Sequence, residues 1–114
     1  MSKFLMAMET IDLARDFHRS PLGRTRTQGR FSGEAFREDK LRPALKRASI
    51  VRIDVDGASG LSTGFLDESF AGLVRDRTLT KDEFFDRVKI IATRDPAVIE
   101  EVRTFVIRAH KQLR

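Results

Sequence analysis

The stretch Ile50–Leu73, IVRIDVDGASGLSTGFLDESFAGL, decides the fold. Its opening IVRIDV is rich in β-branched residues, which suit a pleated, buried strand. Asp56-Gly57 ends that strand, and a loop of small residues runs from Asp56 to Gly64. The pairs Phe65/Leu66, Ser69/Phe70 and Leu73/Val74 then recur at the helical repeat, predicting a helix from about Phe65 to Arg77 with one face toward a core. Strand, loop and helix in this order form the unit from which α/β folds are built.

Downstream, TKDE (Thr80–Glu83) reads as a capping box that opens a short helix through Phe84 and Phe85. VKIIAT (Val88–Thr93) reads as the next strand. Asp95 as N-cap and Pro96 at the first helical position predict a last helix, with Val98, Val102, Phe105, Val106, Ala109 and Leu113 as its buried stripe. Upstream, Ser32-Gly33 opens a helix to about Arg47 whose stripe is Phe36, Leu41, Ala44, Leu45 and Ala48. Pro43 lies inside it and is expected to split it, the second piece starting near Arg42. KFLMAM (residues 3–8) suits a buried strand, and Thr10 to Phe17 a short helix with Thr10 as N-cap. SPLG (Ser20–Gly23) is a turn, and Arg24–Arg30 an exposed extended segment or hairpin. No internal repeat and no low-complexity segment is visible. The expected fold is α/β, a small layer of a few-stranded mixed, partly parallel sheet packed with helices, with that hairpin in the N-terminal half as an option. Helices between successive strands favour parallel pairing through right-handed crossovers.

At 114 residues the chain is expected to be a single domain, 1–114. Hydrophobic residues at 40%, nine of all residues being Phe, supply a core that a disordered chain of 34% charge would lack. The absence of Cys excludes disulfides, cysteine-ligated metal and thiol catalysis, and fits a reducing cytoplasm, the expected location. No apolar run approaches the roughly 18 residues of a membrane span, and MSKFLMAMET is too short in its apolar part for a signal peptide.

Net charge is +5, and residues 1–49 carry all of it, with 11 Lys/Arg against 6 Asp/Glu, whereas residues 50–114 have 11 of each. The excess gathers at Arg15, Arg19, Arg24, Arg26 and Arg30. Such a patch favours an acidic partner, a nucleotide phosphate or nucleic acid, or is a plain solvated surface. With no Tyr or Trp, stacking on single-stranded nucleic acid would rest on Phe31 beside Arg30. The loop before the 65–77 helix meets a helix N-terminus, where free N–H groups and the dipole favour an anion. Ser62 and Thr63 there either accept or hold a phosphate, or simply cap the helix. Gly57, Gly60 and Gly64 match neither the dinucleotide nor the P-loop pattern. Asp54, Asp56, Asp67 and Glu68 read as a magnesium or acid–base set, or as loop and helix-start carboxylates. His18 and His110 have no partner at metal-ligand spacing, and no nucleophile–base pair stands out, so neither metal, cofactor nor enzymatic activity is expected.

The strings PLGR (Pro21–Arg24), GRFSGEAFR (Gly29–Arg37), LRPAL (Leu41–Leu45), IVRIDVDG, GFLDESFAGLVR (Gly64–Arg75) and VKIIAT together make the chain similar to the STAS-like family of uncharacterised bacterial proteins, related to the anti-sigma-factor-antagonist (STAS) fold. In STAS regulators a Ser or Thr in the loop between a strand and the next helix is phosphorylated by a partner kinase of the histidine-kinase-like ATPase class. The resemblance implies a non-catalytic protein-binding module that switches partners through this loop. Gly64 stands where the usual acceptor serine would be, so either Thr63 or Ser62 is the switch hydroxyl or the chain is not phosphorylated and only binds, with Gly64, Phe65, Asp67 and Glu68 flanking the contact and Arg24, Arg26 and Arg30 as a second contact. A nucleic-acid-associated protein using Arg24–Arg30 is the rival expectation.

Overall fold

The structure, a computed structural model, describes residues 7–113. β1 (Met8–Asp12), β2 (Ile50–Asp54) and β3 (Val88–Ile91) form a three-stranded sheet in that order. Both pairings are parallel, with Ile11 opposite Ile53 and Ile53 opposite Ile90. The sheet is therefore wholly parallel rather than mixed. The helices that follow β1 and β2 return the chain to the same end of the sheet each time, as a parallel neighbour requires.

Val51 and Ile53 of β2 are fully buried, whereas Arg52 between them is exposed. Thr10 and Lys89, its register partners, are exposed as well, so the helices cover one face of the sheet. On that face Phe36, Phe65, Phe70 and Phe84 follow one another, with ring centroids 6.0, 6.2 and 6.3 Å apart along Phe65–Phe36–Phe70–Phe84. The last helix, Ala97–Gln112, adds Val98, Val102, Val106 and Ala109 to the core, while Phe105 and Leu113 of its expected stripe are only partly buried.

Two helices on this face share one plan. Ser32 Oγ accepts the Ala35 N–H at 3.2 Å, and Ser62 Oγ accepts the Phe65 N–H at 3.2 Å. Each cap opens one α turn, Gly33–Phe36 or Thr63–Leu66. Each helix then widens to a π turn, Arg37–Leu41 or Asp67–Ala71, and closes as α-helix, Arg42–Arg47 or Gly72–Arg75. The widening is visible in the Arg42 N–H reaching Arg37 O and the Gly72 N–H reaching Asp67 O, five residues back. Pro43 follows the first wide turn. Proline has no N–H, and its ring would press on the carbonyl four residues earlier in a regular α-helix. The π turn relieves that conflict, so the 33–47 helix stays continuous instead of splitting. The 63–75 helix has no proline, and its wide turn ends immediately before Gly72, over which Arg37 lies. At the crossing a Cβ on Gly33 would stand 2.7 Å from Phe65 O, so the two backbones nearly touch there.

Other elements depart from the sequence reading. Most of the expected strand at 3–8 lies outside the described residues, and the observed one is Met8–Asp12. Thr10 is inside that strand rather than an N-cap. Asp12 caps the short helix Leu13–Asp16 instead, its Oδ1 accepting the Arg15 N–H at 3.1 Å. Residues 24–30 form turns and no strand, held by Gln28 Oε1, which accepts the N–H groups of Arg24 at 2.7 Å and Thr25 at 3.2 Å. The last helix starts at Ala97 after Pro96, with no side-chain cap from Asp95. The capping box is as expected, Thr80 and Glu83 exchanging bonds of 3.1 and 2.8 Å.

Candidate functional site

The loop of residues 55–62 leaves β2 at its carboxyl end and delivers the chain to the 63–75 helix. Its acidic residues serve to close it. Asp54 Oδ1 accepts the Asp56 N–H at 2.9 Å. The Asp56 carboxylate accepts the Thr93 hydroxyl and the Arg94 N–H, tying this loop to the one after β3. Those bonds, the Thr93 hydroxyl first, hold the Asp56 carboxyl below its ordinary range. Among the described residues no group of three or more His, Cys, Asp or Glu is arranged to hold a metal ion.

Ser62 is half-buried, and its hydroxyl oxygen accepts the cap bond. Thr63 is exposed, and its hydroxyl enters no hydrogen bond among the described residues. Phe65, expected at the surface contact, is 0% exposed, because its ring is the floor of the core beneath this turn. Gly64 is covered by Arg24, whose Cγ would stand 3.1 Å from a Cβ there. The Arg24 guanidinium continues to Asp67, with Nη1 2.7 Å from Oδ2. Arg75 grips the same carboxylate at 2.9 Å. Burial pushes the Asp67 carboxyl up, but the bonds from Arg24 and Arg75 outweigh it and hold the group below its ordinary value.

Behind Asp67 lies an arginine–carboxylate ladder that no short sequence motif announces. Arg37 Nη1 donates to Glu68 Oε2 at 2.9 Å and to Glu68 O at 2.6 Å. Its Nε donates to Glu38 at 2.9 Å. Glu38 in turn accepts two bonds from Arg42, at 2.8 and 2.9 Å, and Arg42 reaches Asp76 at 2.6 Å. The Glu38 carboxyl is held down at about 2, chiefly by Arg42, against the opposing effect of burial, with Arg37 adding to the depression. The ladder joins the 33–47 and 63–75 helices side by side. The one readable sign was charge at the i and i+4 positions Glu38 and Arg42; the cross-helix contacts depend on the packing at Gly33.

The structure splits the basic segment. Arg24 belongs to the Gly64–Asp67 corner. Arg26 forks to Asp39 at 2.9 and 3.2 Å, and its N–H donates to Glu34. Arg30 lies 5.5 Å from the Phe31 ring centroid. Neither Arg26 nor Arg30 has a hydrogen bond or ion pair to residues 62–68 among the described residues. His18 stacks on Phe31 at 4.1 Å while its Nδ1 accepts the Ser20 N–H. No helix among the described residues is long and apolar enough to cross a membrane.

Compared with known protein families, residues 32–97 match the family described as a STAS-like domain of unknown function (DUF4325). Comparison with curated proteins and with solved structures finds no match. The matched stretch runs from the Ser32 cap to the start of the last helix, so it takes in both π-turn helices, β2 and β3. More than half of the 114 residues fall within it, and the chain belongs to this STAS-like family.

Proposed function

We propose that the chain is a non-catalytic regulatory module that docks a protein partner through the 55–62 loop and the exposed rim of the 63–75 helix. The partner is an ATP-binding regulator of the histidine-kinase-like class, and Thr63 is the hydroxyl it phosphorylates, with Ser62 as the neighbouring acceptor. One observation carries this reading: the exposed, unbonded Thr63 hydroxyl sits in the first turn of a helix at the carboxyl rim of a parallel sheet, where ligands of α/β proteins gather. Membership of a STAS-like family supports it.

The electrostatics give the switch a direction. A phosphate adds about −1.5 to −2 charge at pH 7. On Thr63 it would stand next to the residue that Arg24 covers and would compete with Asp67 for that guanidinium. Freed from Arg24, Asp67 keeps only the Arg75 side chain, and the face that a partner reads changes in both charge and shape. Ser62 is the poorer acceptor, because phosphorylation must work around the oxygen that caps Phe65.

The test is incubation with the cognate kinase and ATP, followed by intact mass. A gain of one phosphate that persists in Ser62→Ala and vanishes in Thr63→Ala, with release of the partner, is the expected result. Stable binding without modification leaves a docking module and removes the switch. A nucleic-acid role for residues 24–30 finds less support, since Arg24 and Arg26 are each already paired with a carboxylate.

A further inference from the structure

A cleft of about 610 Å³ opens between the loop after the first helix and the middle of the 33–47 helix. That volume falls within the roughly 300–1,000 Å³ of small-molecule sites. Its charges do not cancel. Asp39 is neutralised by the Arg26 fork, and Asp16 by Arg15 at 3.0 Å. Arg30 and Lys40, which also line the cleft, have no ion pair among the described residues. Along the lining Arg26, Arg30 and Lys40 outnumber Asp16 and Asp39, with Lys40 also in the field of Asp16, and the surplus positive charge draws an anion into the concavity. Beside them stands an apolar wall. Phe31 is fixed by His18 on its face at 4.1 Å and by Phe17 at its edge at 5.5 Å. A second hollow of about 350 Å³ shares Asp16, Asp39 and Lys40 and continues to Glu9–Ile11, which extends the room beyond Lys40.

We propose that this cleft binds a phosphate monoester carried on a small carbon skeleton, of the mononucleotide or sugar-phosphate kind, with the phosphate between Arg30 and Lys40 and the organic body against Phe17 and Phe31. The proposal does not rest on the Thr63 reading and stands or falls separately from it.

The experiment is calorimetric titration of the intact chain at low ionic strength with AMP, ribose 5-phosphate, inorganic phosphate and adenosine. Saturable binding of AMP or ribose 5-phosphate with a Kd of about 0.1–1 mM is expected, whichever of the two is tighter naming the source. Inorganic phosphate is expected to bind at least about fivefold more weakly, and adenosine not measurably. Arg30→Ala and Lys40→Ala should each weaken binding about fivefold or more, while Lys46→Ala, the same charge change at an exposed residue outside the cleft, leaves it unchanged. Far-UV circular dichroism checks that each variant is folded. Any of four results overturns the proposal: no saturation by either organic phosphate up to about 10 mM, equal affinity for inorganic phosphate, equal affinity for adenosine, or an equal loss in Lys46→Ala.

Discussion

The 33–47 and 63–75 helices are built alike and used differently. Both begin at a serine cap with the same 3.2 Å bond, and both pass through a π turn one turn later. Ser32 is 0% exposed and Gly33 is pressed against Phe65 O, so the first helix start is sealed. Ser62 is half-buried, Thr63 is exposed, and only the flexible Arg24 side chain lies over Gly64. Local structure is thus no guide to role. The same serine cap serves as a packing element where another helix crosses it, and as an accessible corner where the chain arrives at the rim of the sheet.

The glycines that follow the two serines give the widest separation. Gly33→Ala puts a methyl where backbone and Glu68 Cβ stand at 2.7 and 2.8 Å, and neither can swing away. Overpacking of this kind costs about 3 kcal/mol at the upper end of the usual range. Gly64→Ala meets only Arg24 Cγ at 3.1 Å, and alanine is the better helix former, so its cost is under about 1 kcal/mol. Urea unfolding followed at the helical circular-dichroism band measures both, and equal losses would mean that the crossing at Gly33 is looser than its distances say.

The serines themselves come next. Ser32→Ala leaves the buried Ala35 N–H without an acceptor and is expected to cost about 2 kcal/mol. Ser62→Ala exposes the Phe65 N–H to water that can replace the cap, and about 0.5–1 kcal/mol is expected. Unfolding midpoints that moved by the same amount would show that solvent access does not set what these caps contribute.

How far this contrast was legible in the sequence follows from which forces are local. β-branched runs, the helical repeat of Phe65 to Val74 and the Thr80–Glu83 box depend on neighbours in the chain, and they were readable. The end of β1 was not, because Thr10-Ile11-Asp12 is a helix start by capping preference and a strand by pairing with Arg52, Ile53 and Asp54. Pairing is a long-range property. The all-parallel order was only half visible, since helices between strands favour it without fixing it. The Ser62–Thr63 corner could be named from residue types, but not which hydroxyl is free, as that depends on which one turns to the Phe65 N–H. The burial of Phe65 and the departure of Arg26 toward Asp39 were illegible, because each is set by a partner elsewhere in the fold, whereas Arg30 beside Phe31 is a contact between chain neighbours.

The smallest effect tests the ladder that ties the two helices together. Glu38 is held at about 2 in the fold, against an ordinary 4.5. A carboxylate whose folded value is depressed contributes stability that is fully present above its unfolded value and is lost as the pH falls toward the folded one. The window is therefore pH 4.5 down to about 2. With a third of the side chain exposed, solvent screening reduces the contribution to about 1 kcal/mol, well below what the shift alone would convert to. Glu38→Gln should lower stability at pH 7 by that amount and flatten the acid slope. Asp67→Asn, at the corner in front of the ladder, should flatten it too, since Arg24 and Arg75 hold that carboxyl down. If Asp67→Asn flattens the slope and Glu38→Gln leaves it unchanged, acid sensitivity belongs to the open corner rather than to the sealed seam. Among the described residues Glu38 bonds only Arg37 and Arg42 of its own helix, so the cross-helix bonds from Arg37 to Glu68 and from Arg42 to Asp76 would still join the two helices without it.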